Sequence, residues 1–195
     1  MNTRILLVEG TCGAGKSTLL QGLLTQYVRE EERPRTLLYL TQAHTYFPLV
    51  SPDRPTPVIK RQHREHLRKV IRALDWNTQG LTPPHWFTFY SLIDTLHLTQ
   101  TFRPGSLSWS EMGYIDRYLA SLDASLIFLR AKPETLWKRL IAQGAVEESI
   151  QYYVREQEQM ETLAHRSSLA TLFLPAEAPP TELLKRAHAF WMKEK

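Results

Sequence analysis

Residues 10 to 17 read Gly-Thr-Cys-Gly-Ala-Gly-Lys-Ser, with four residues between Gly10 and the run Gly15-Lys16-Ser17. This spacing satisfies the phosphate-binding P-loop pattern in full. Gly10, Gly13 and Gly15 let the backbone bend so that successive N–H groups surround a phosphate, with Thr11, Cys12 and Ala14 filling the turn between them. Lys16 then reaches the β- and γ-phosphates, and Ser17 places its hydroxyl on Mg²⁺. Thr18 carries the chain into a helix whose positive end points at the same place. The cofactors this pattern calls for are ATP and Mg²⁺.

Two carboxylates stand where they could join that chemistry. Asp94 ends the run Phe89-Tyr90-Ser91-Leu92-Ile93, and an acid at the end of a buried strand can hold Mg²⁺ directly or through water. A cap after the strand is the alternative reading of the same residue. Glu9, just before the loop, could orient a metal-bound water, hydrogen-bond a substrate or accept a proton, and all three roles stay open. Cys12 lies where a helix N-terminus and Lys16 would activate a thiol, although a small residue that simply fits the turn is the preferred reading.

The elements that must position these residues follow from periodicity. Ile5-Leu6-Leu7-Val8 reads as a buried parallel strand, and Leu19, Leu20, Leu23 and Leu24 give the next helix its apolar face. Further strands are predicted at 36–40, 86–93, 125–129 and 171–174. Helices are predicted at about 57–75, where Thr56-Pro57 forms the start, at 108–119, at 133–143 ending on Gly144, and at about 147–165. A last helix follows Pro179-Pro180, with Leu183, Leu184, Ala187, Phe190 and Trp191 on one face. The helix at 147–165 has apolar positions 150, 153, 154 and 160, interrupted by polar Gln157. Alternating strands and helices imply an α/β, three-layer fold with a five-stranded parallel sheet flanked by helices, and a ligand site at the carboxyl ends of the strands.

Composition sets the frame. The 195 residues suit a single domain, 1–195, and 43% hydrophobic with 23% charged residues is ordinary for a soluble globular chain. The first apolar run is four residues long and enters the loop directly, which argues against a signal peptide or a membrane partner. A single cysteine allows no internal disulfide, so a cytoplasmic location is expected. A net charge of +4 suits anionic ligands without demanding nucleic acid.

In the helix at 57–75, Arg61, Arg64, Arg68 and Arg72 fall in one stripe about 80° wide at 100° per residue. A solvated basic face is the ordinary reading of such a stripe. It lacks the interleaved aromatics of a single-strand binding platform, which disfavours a nucleic-acid partner. His44, His97 and Arg103 follow the second and third strands and are candidates for an acceptor pocket, His44 as a base if the acceptor is a hydroxyl.

A P-loop on the first strand and a five-strand layout resemble the P-loop nucleoside and nucleotide kinase group, with thymidylate kinase the nearest pattern. Glu9-Gly10 resembles that family's Glu-Gly, Asp94 stands where its Asp-Arg ends the third strand, and "LIFLRAKPETLWKRL" is similar to its fourth strand and next helix. The resemblance implies that Arg139 lies near the adenine, that residues 141–150 form a lid, and that the arginine helix binds the acceptor. Three departures stand out: Thr95 follows Asp94, the second strand ends in Thr41-Gln42-Ala43-His44 with no acid, and "IAQGAVEES" holds no Arg or Lys. Charge on the transferred phosphoryl would then fall to Lys16, Mg²⁺ and Arg139 or Arg155. The expected activity is Mg²⁺-dependent phosphoryl transfer from ATP to a small molecule, a nucleoside monophosphate first. Alternatives are O-phosphorylation of a nucleoside or antibiotic-like alcohol, and a P-loop regulator that is not a kinase. A homodimer is compatible with either.

Overall fold

The computed structural model describes residues 4–30, 37–40, 86–89, 109–121, 123–144 and 149–192. Strand β1 spans Arg4–Glu9 and helix α1 Lys16–Glu30. Strands β2 and β3 span Leu37–Leu40 and Trp86–Phe89. Helix α2 covers Trp109–Ser121, strand β4 Ser125–Arg130 and helix α3 Pro133–Ala142. Helix α4 runs Ile150–Arg166, strand β5 Ala170–Pro175 and helix α5 Pro180–Met192. Side chains are described in three of the strands, β1 from Leu6 onward, β4 and β5.

The expected α/β class holds, with every strand pair parallel and the strands in the order β2-β3-β1-β4-β5. Register sets Leu6 beside Ser125 and Glu9 beside Phe128, while Arg4 pairs with Trp86. The central strand β1 therefore lies where the chain's direction of travel across the sheet reverses. In open parallel sheets the crevice for a ligand opens at that point, outside the carboxyl ends of the strands.

Why these stretches are strands is plain from burial. Leu6, Leu7 and Val8 are fully buried, as are Leu126, Ile127 and Phe128, so both faces of the central strands are covered and the sequence reads as a continuous apolar run. Alternation divides them. Leu6, Val8, Ile127 and Leu129 share a core with Leu20 and Leu23 of α1 and with Ala187 and Trp191 of α5. Leu126 and Phe128 point the other way, where α4 crosses β4 and Phe128 meets Phe173 at 5.8 Å. The predicted apolar face of α5 is the buried one, with Leu183, Leu184 and Phe190 packed at its edge.

The helix starts and stops are chemical. Ser149 caps α4, its side chain accepting from the Tyr152 N–H, so the helix begins at Ile150, a turn later than the predicted 147. Helix α3 starts at Pro133, and its cap residue Lys132 makes no capping bond with its own side chain. The Glu177 carboxylate does that work from the β5–α5 turn, accepting the Lys132 N–H at 2.6 Å. Partial burial pushes the Glu177 carboxyl up, but hydrogen bonds from the Lys132 backbone and the Thr135 side chain outweigh it and leave it below the ordinary value of 4.5.

A carboxyl lowered in the folded state stabilises above its ordinary value and loses that contribution as pH falls through the folded-state value. Glu177→Gln is expected to cost roughly 0.5–1 kcal/mol at neutral pH, at the low end of capping effects because the carboxylate is largely exposed. Chemical denaturation of both proteins from pH 7 down to strong acid checks this: the two stabilities should converge on acidification. A gap independent of pH would show that the charge is irrelevant to the cap.

Candidate active site

The loop between β1 and α1 carries the predicted phosphate residues at the carboxyl end of the central strand. Its bends need glycine. Gly10, Gly13 and Gly15 have φ of 141°, 79° and 99°, values that side-chain-bearing residues rarely adopt. At Gly10 space is also closed, since a Cβ there would meet the Leu129 carbonyl oxygen at 2.6 Å.

Lys16 folds back over this turn. Its Nζ donates to the Gly10 carbonyl at 2.5 Å and the Thr11 carbonyl at 3.2 Å, and its side chain is buried. Thr11 is buried as well, while Cys12 is exposed, a free cysteine at the tip. Ala14 is buried and donates its N–H to the Thr11 carbonyl at 3.2 Å. Ser17 and Thr18 are exposed at the first turn of α1. Glu9 is completely buried at the end of β1, directly under the loop. A glycine turn running into the N-terminus of a 15-residue helix is an arrangement that receives anions.

Arg139 reaches the loop from α3. Its guanidinium donates to the Gly13 and Ala14 carbonyls, both at 3.3 Å, and to the Ala176 carbonyl at 2.9 Å. One side chain therefore joins the glycine loop, α3 and the β5–α5 turn. Beside it opens a groove of about 680 Å³, lined among others by Gly15, Thr18, Arg139, Gln143, Pro179 and Leu184. Its size falls in the range of small-molecule sites, and it runs directly into the loop.

Asp94, His44, His97, Arg103 and the arginine stripe of Arg61, Arg64, Arg68 and Arg72 lie outside the described residues, as does the helix predicted at 57–75. So does 145–148 of the predicted lid. Arg155 is exposed on α4. Among the described residues no group of three or more His, Cys, Asp or Glu forms a metal cluster. The Ser17 hydroxyl is a hard-oxygen donor of the kind Mg²⁺ takes together with phosphate oxygens and water, so the loop's chemistry fits that ion.

Sequence reasoning passed over two neighbours on α4. Gln157 reads as a polar break in an apolar stripe, yet it is 6% exposed and makes both bonds of a backbone pair, accepting the Ala131 N–H at 2.8 Å and donating to the Ala131 carbonyl at 2.9 Å. The chain leaves β4 there with buried backbone groups that need partners. Its signal was visible: one amide on an otherwise buried face with Tyr153, Met160 and Leu163. Glu156, the next residue back, accepts the Thr11 hydroxyl of the glycine loop. Nothing in the local pattern marks it.

Neither a family model nor a curated protein matches this chain. Solved structures do. The YorR protein from Bacillus subtilis, determined in complex with phosphorylated GDP, aligns at a TM-score of 0.63 with 14% identity, covering 94% of this chain and 92% of its own. At that identity the likeness is one of fold. A deoxyadenosine kinase from M. mycoides aligns at a TM-score of 0.51 with 14% identity over 95% of this chain and 96% of that one, with dCMP and dCDP bound. A second structure of that enzyme, with dCTP, aligns at 0.50 with 15% identity over 94% and 96%. Coverage of 94–95% of this chain makes the likeness one of the whole fold rather than of the loop alone. Among the described residues no helix is long and apolar enough to cross a membrane.

Proposed function

We propose that this protein transfers the γ-phosphoryl group of ATP to a small acceptor, a nucleoside monophosphate first. The observation that carries the reading is the junction of a complete glycine loop, with Lys16 folded onto it, and an open groove walled by Arg139. The groove has room for a base and ribose, and the loop stands at its end, where the phosphate chain would arrive. Lys16 then leaves the Gly10 and Thr11 carbonyls for phosphate oxygens, and charge developing on the transferred group meets it without solvent reorganisation. Bound Mg²⁺, held by Ser17 and Asp94, would neutralise charge between the β- and γ-phosphates.

The acceptor separates two readings. A monophosphate is already a nucleophile at neutral pH and needs cations to hold it, which is the task assigned to Arg61, Arg64 and Arg68. A nucleoside hydroxyl needs a base instead. Glu9, a buried carboxylate at the end of β1, supports this second reading, as does the likeness to a deoxyadenosine kinase.

The test is steady-state kinetics with a panel of nucleoside monophosphates and nucleosides, followed by acceptor and ATP titrations of Arg61→Lys, Arg64→Lys and Arg68→Lys. For a phosphate acceptor, at least one variant is expected to raise the acceptor KM about tenfold while the ATP KM stays within about twofold, because lysine cannot reproduce the two-pronged contact. Wild-type acceptor kinetics in all three variants would overturn the monophosphate reading in favour of the hydroxyl. No acceptor-dependent ADP release from any compound would remove the kinase reading itself.

A further inference from the structure

We infer that Glu156 is a positioning residue for nucleotide phosphates, its carboxylate anchoring Thr11 and limiting how much negative charge the glycine loop accepts. Thr11 is held from two sides. Its hydroxyl donates to Glu156, and its carbonyl takes both the Lys16 ammonium at 3.2 Å and the Ala14 N–H at 3.2 Å. The residue is 1% exposed, so its place in the turn is set by these partners rather than by water. The contact spans 145 residues and exists only because α4 crosses the sheet beside β1's neighbour, β4.

The chemistry is that of a charged acceptor. An ionised carboxylate takes a hydroxyl hydrogen bond about twice as strongly as a neutral oxygen does, which suits it to pin a turn made largely of glycine. It also places a negative charge against the first turn of a loop meant for anions. The consequence is selective: each further charge on an incoming phosphate chain is opposed, and the loop's affinity falls below what its helix terminus and Lys16 would otherwise provide.

The experiment is calorimetric titration of the full chain with ATP and with ADP in EDTA, for wild type, Glu156→Gln and Thr11→Val. Glutamine keeps an acceptor for the hydroxyl and removes the charge; valine keeps the shape and the charge and removes the hydroxyl. Glu156→Gln is expected to bind ATP about fivefold more tightly than wild type, with a smaller gain for ADP, the size expected for charges one side chain apart in a partly solvated site. Thr11→Val should bind both nucleotides about three- to tenfold more weakly, as the anchor is lost. Wild-type affinity in Glu156→Gln, or a loss matching that of Thr11→Val, overturns the assignment. The inference rests on the loop being a nucleotide site: a wild-type protein that binds neither nucleotide, with or without Mg²⁺, overturns that reading and this one together, whereas normal wild-type binding with unshifted variants overturns Glu156 alone.

Discussion

Lys16→Ala is expected to fold and to lose on the order of 10²–10³ in turnover, the cost of deleting one group that meets charge in the transition state. Lys16 Nζ is committed to the buried Gly10 and Thr11 carbonyls, and the Thr11 carbonyl keeps the Ala14 N–H as a donor when the ammonium is removed. Each such bond contributes only about 1 kcal/mol net, which shifts the melting temperature by a few degrees without unfolding the domain. The check is a pair of measurements on one preparation: a thermal melt, and single-turnover transfer at saturating ATP. A folded variant with turnover near that of wild type would remove the loop from the mechanism, and Lys16→Arg, which keeps the charge but not its shape, should fall between the two.

Gly10→Ala carries the larger structural effect. Two independent costs meet at this position: a φ of 141°, and a Cβ driven to 2.6 Å from the Leu129 carbonyl. That carbonyl belongs to β4, a central strand that cannot retreat without disturbing its pairing with β1 and β5. Strain of this kind costs roughly 2–4 kcal/mol when backbone conformation and overpacking are combined. Because the turn must open to relieve it, nucleotide affinity should fall with stability, which chemical denaturation and calorimetric titration would follow together. Ala at Gly144 offers the control. Its φ is 62°, but nothing lies within 4 Å of an added Cβ, so the cost there is limited to conformation and should fall well below that at Gly10.

How much of this was legible before folding differs by the range of the interaction. The glycine loop, the buried run of β1 and the apolar face of α5 were readable because each depends on neighbours within a few residues. A glycine is demanded by local φ, a strand by continuous burial, a helix face by its 3.6-residue period. Boundaries shifted where a cap decided them: Ser149 starts α4 at Ile150, and α3 ends at Ala142 with Gln143 as its C-cap. Asp94 and the arginine stripe, both legible as chemistry, lie outside the described residues and keep the standing of sequence readings.

By itself, then, the sequence determined that a P-loop would follow the first strand and that Lys16 and Ser17 would stand at its end, since spacing along one turn leaves the backbone little choice. The family resemblance already brought Arg139 to the nucleotide, but only the tertiary structure decided which groups it and the other side chains would meet there. Arg139 reaches Gly13 across 126 residues, Glu156 reaches Thr11 across 145, and Glu177 caps α3 across 45. None of these pairs shares a period or a motif. They meet because the strand order sets β4 beside β1 and β5 beside β4, so the segments leaving the carboxyl ends of all three converge on one edge of the sheet. Buried polar groups at that edge need partners, and the partners come from whichever helix the topology brings within reach.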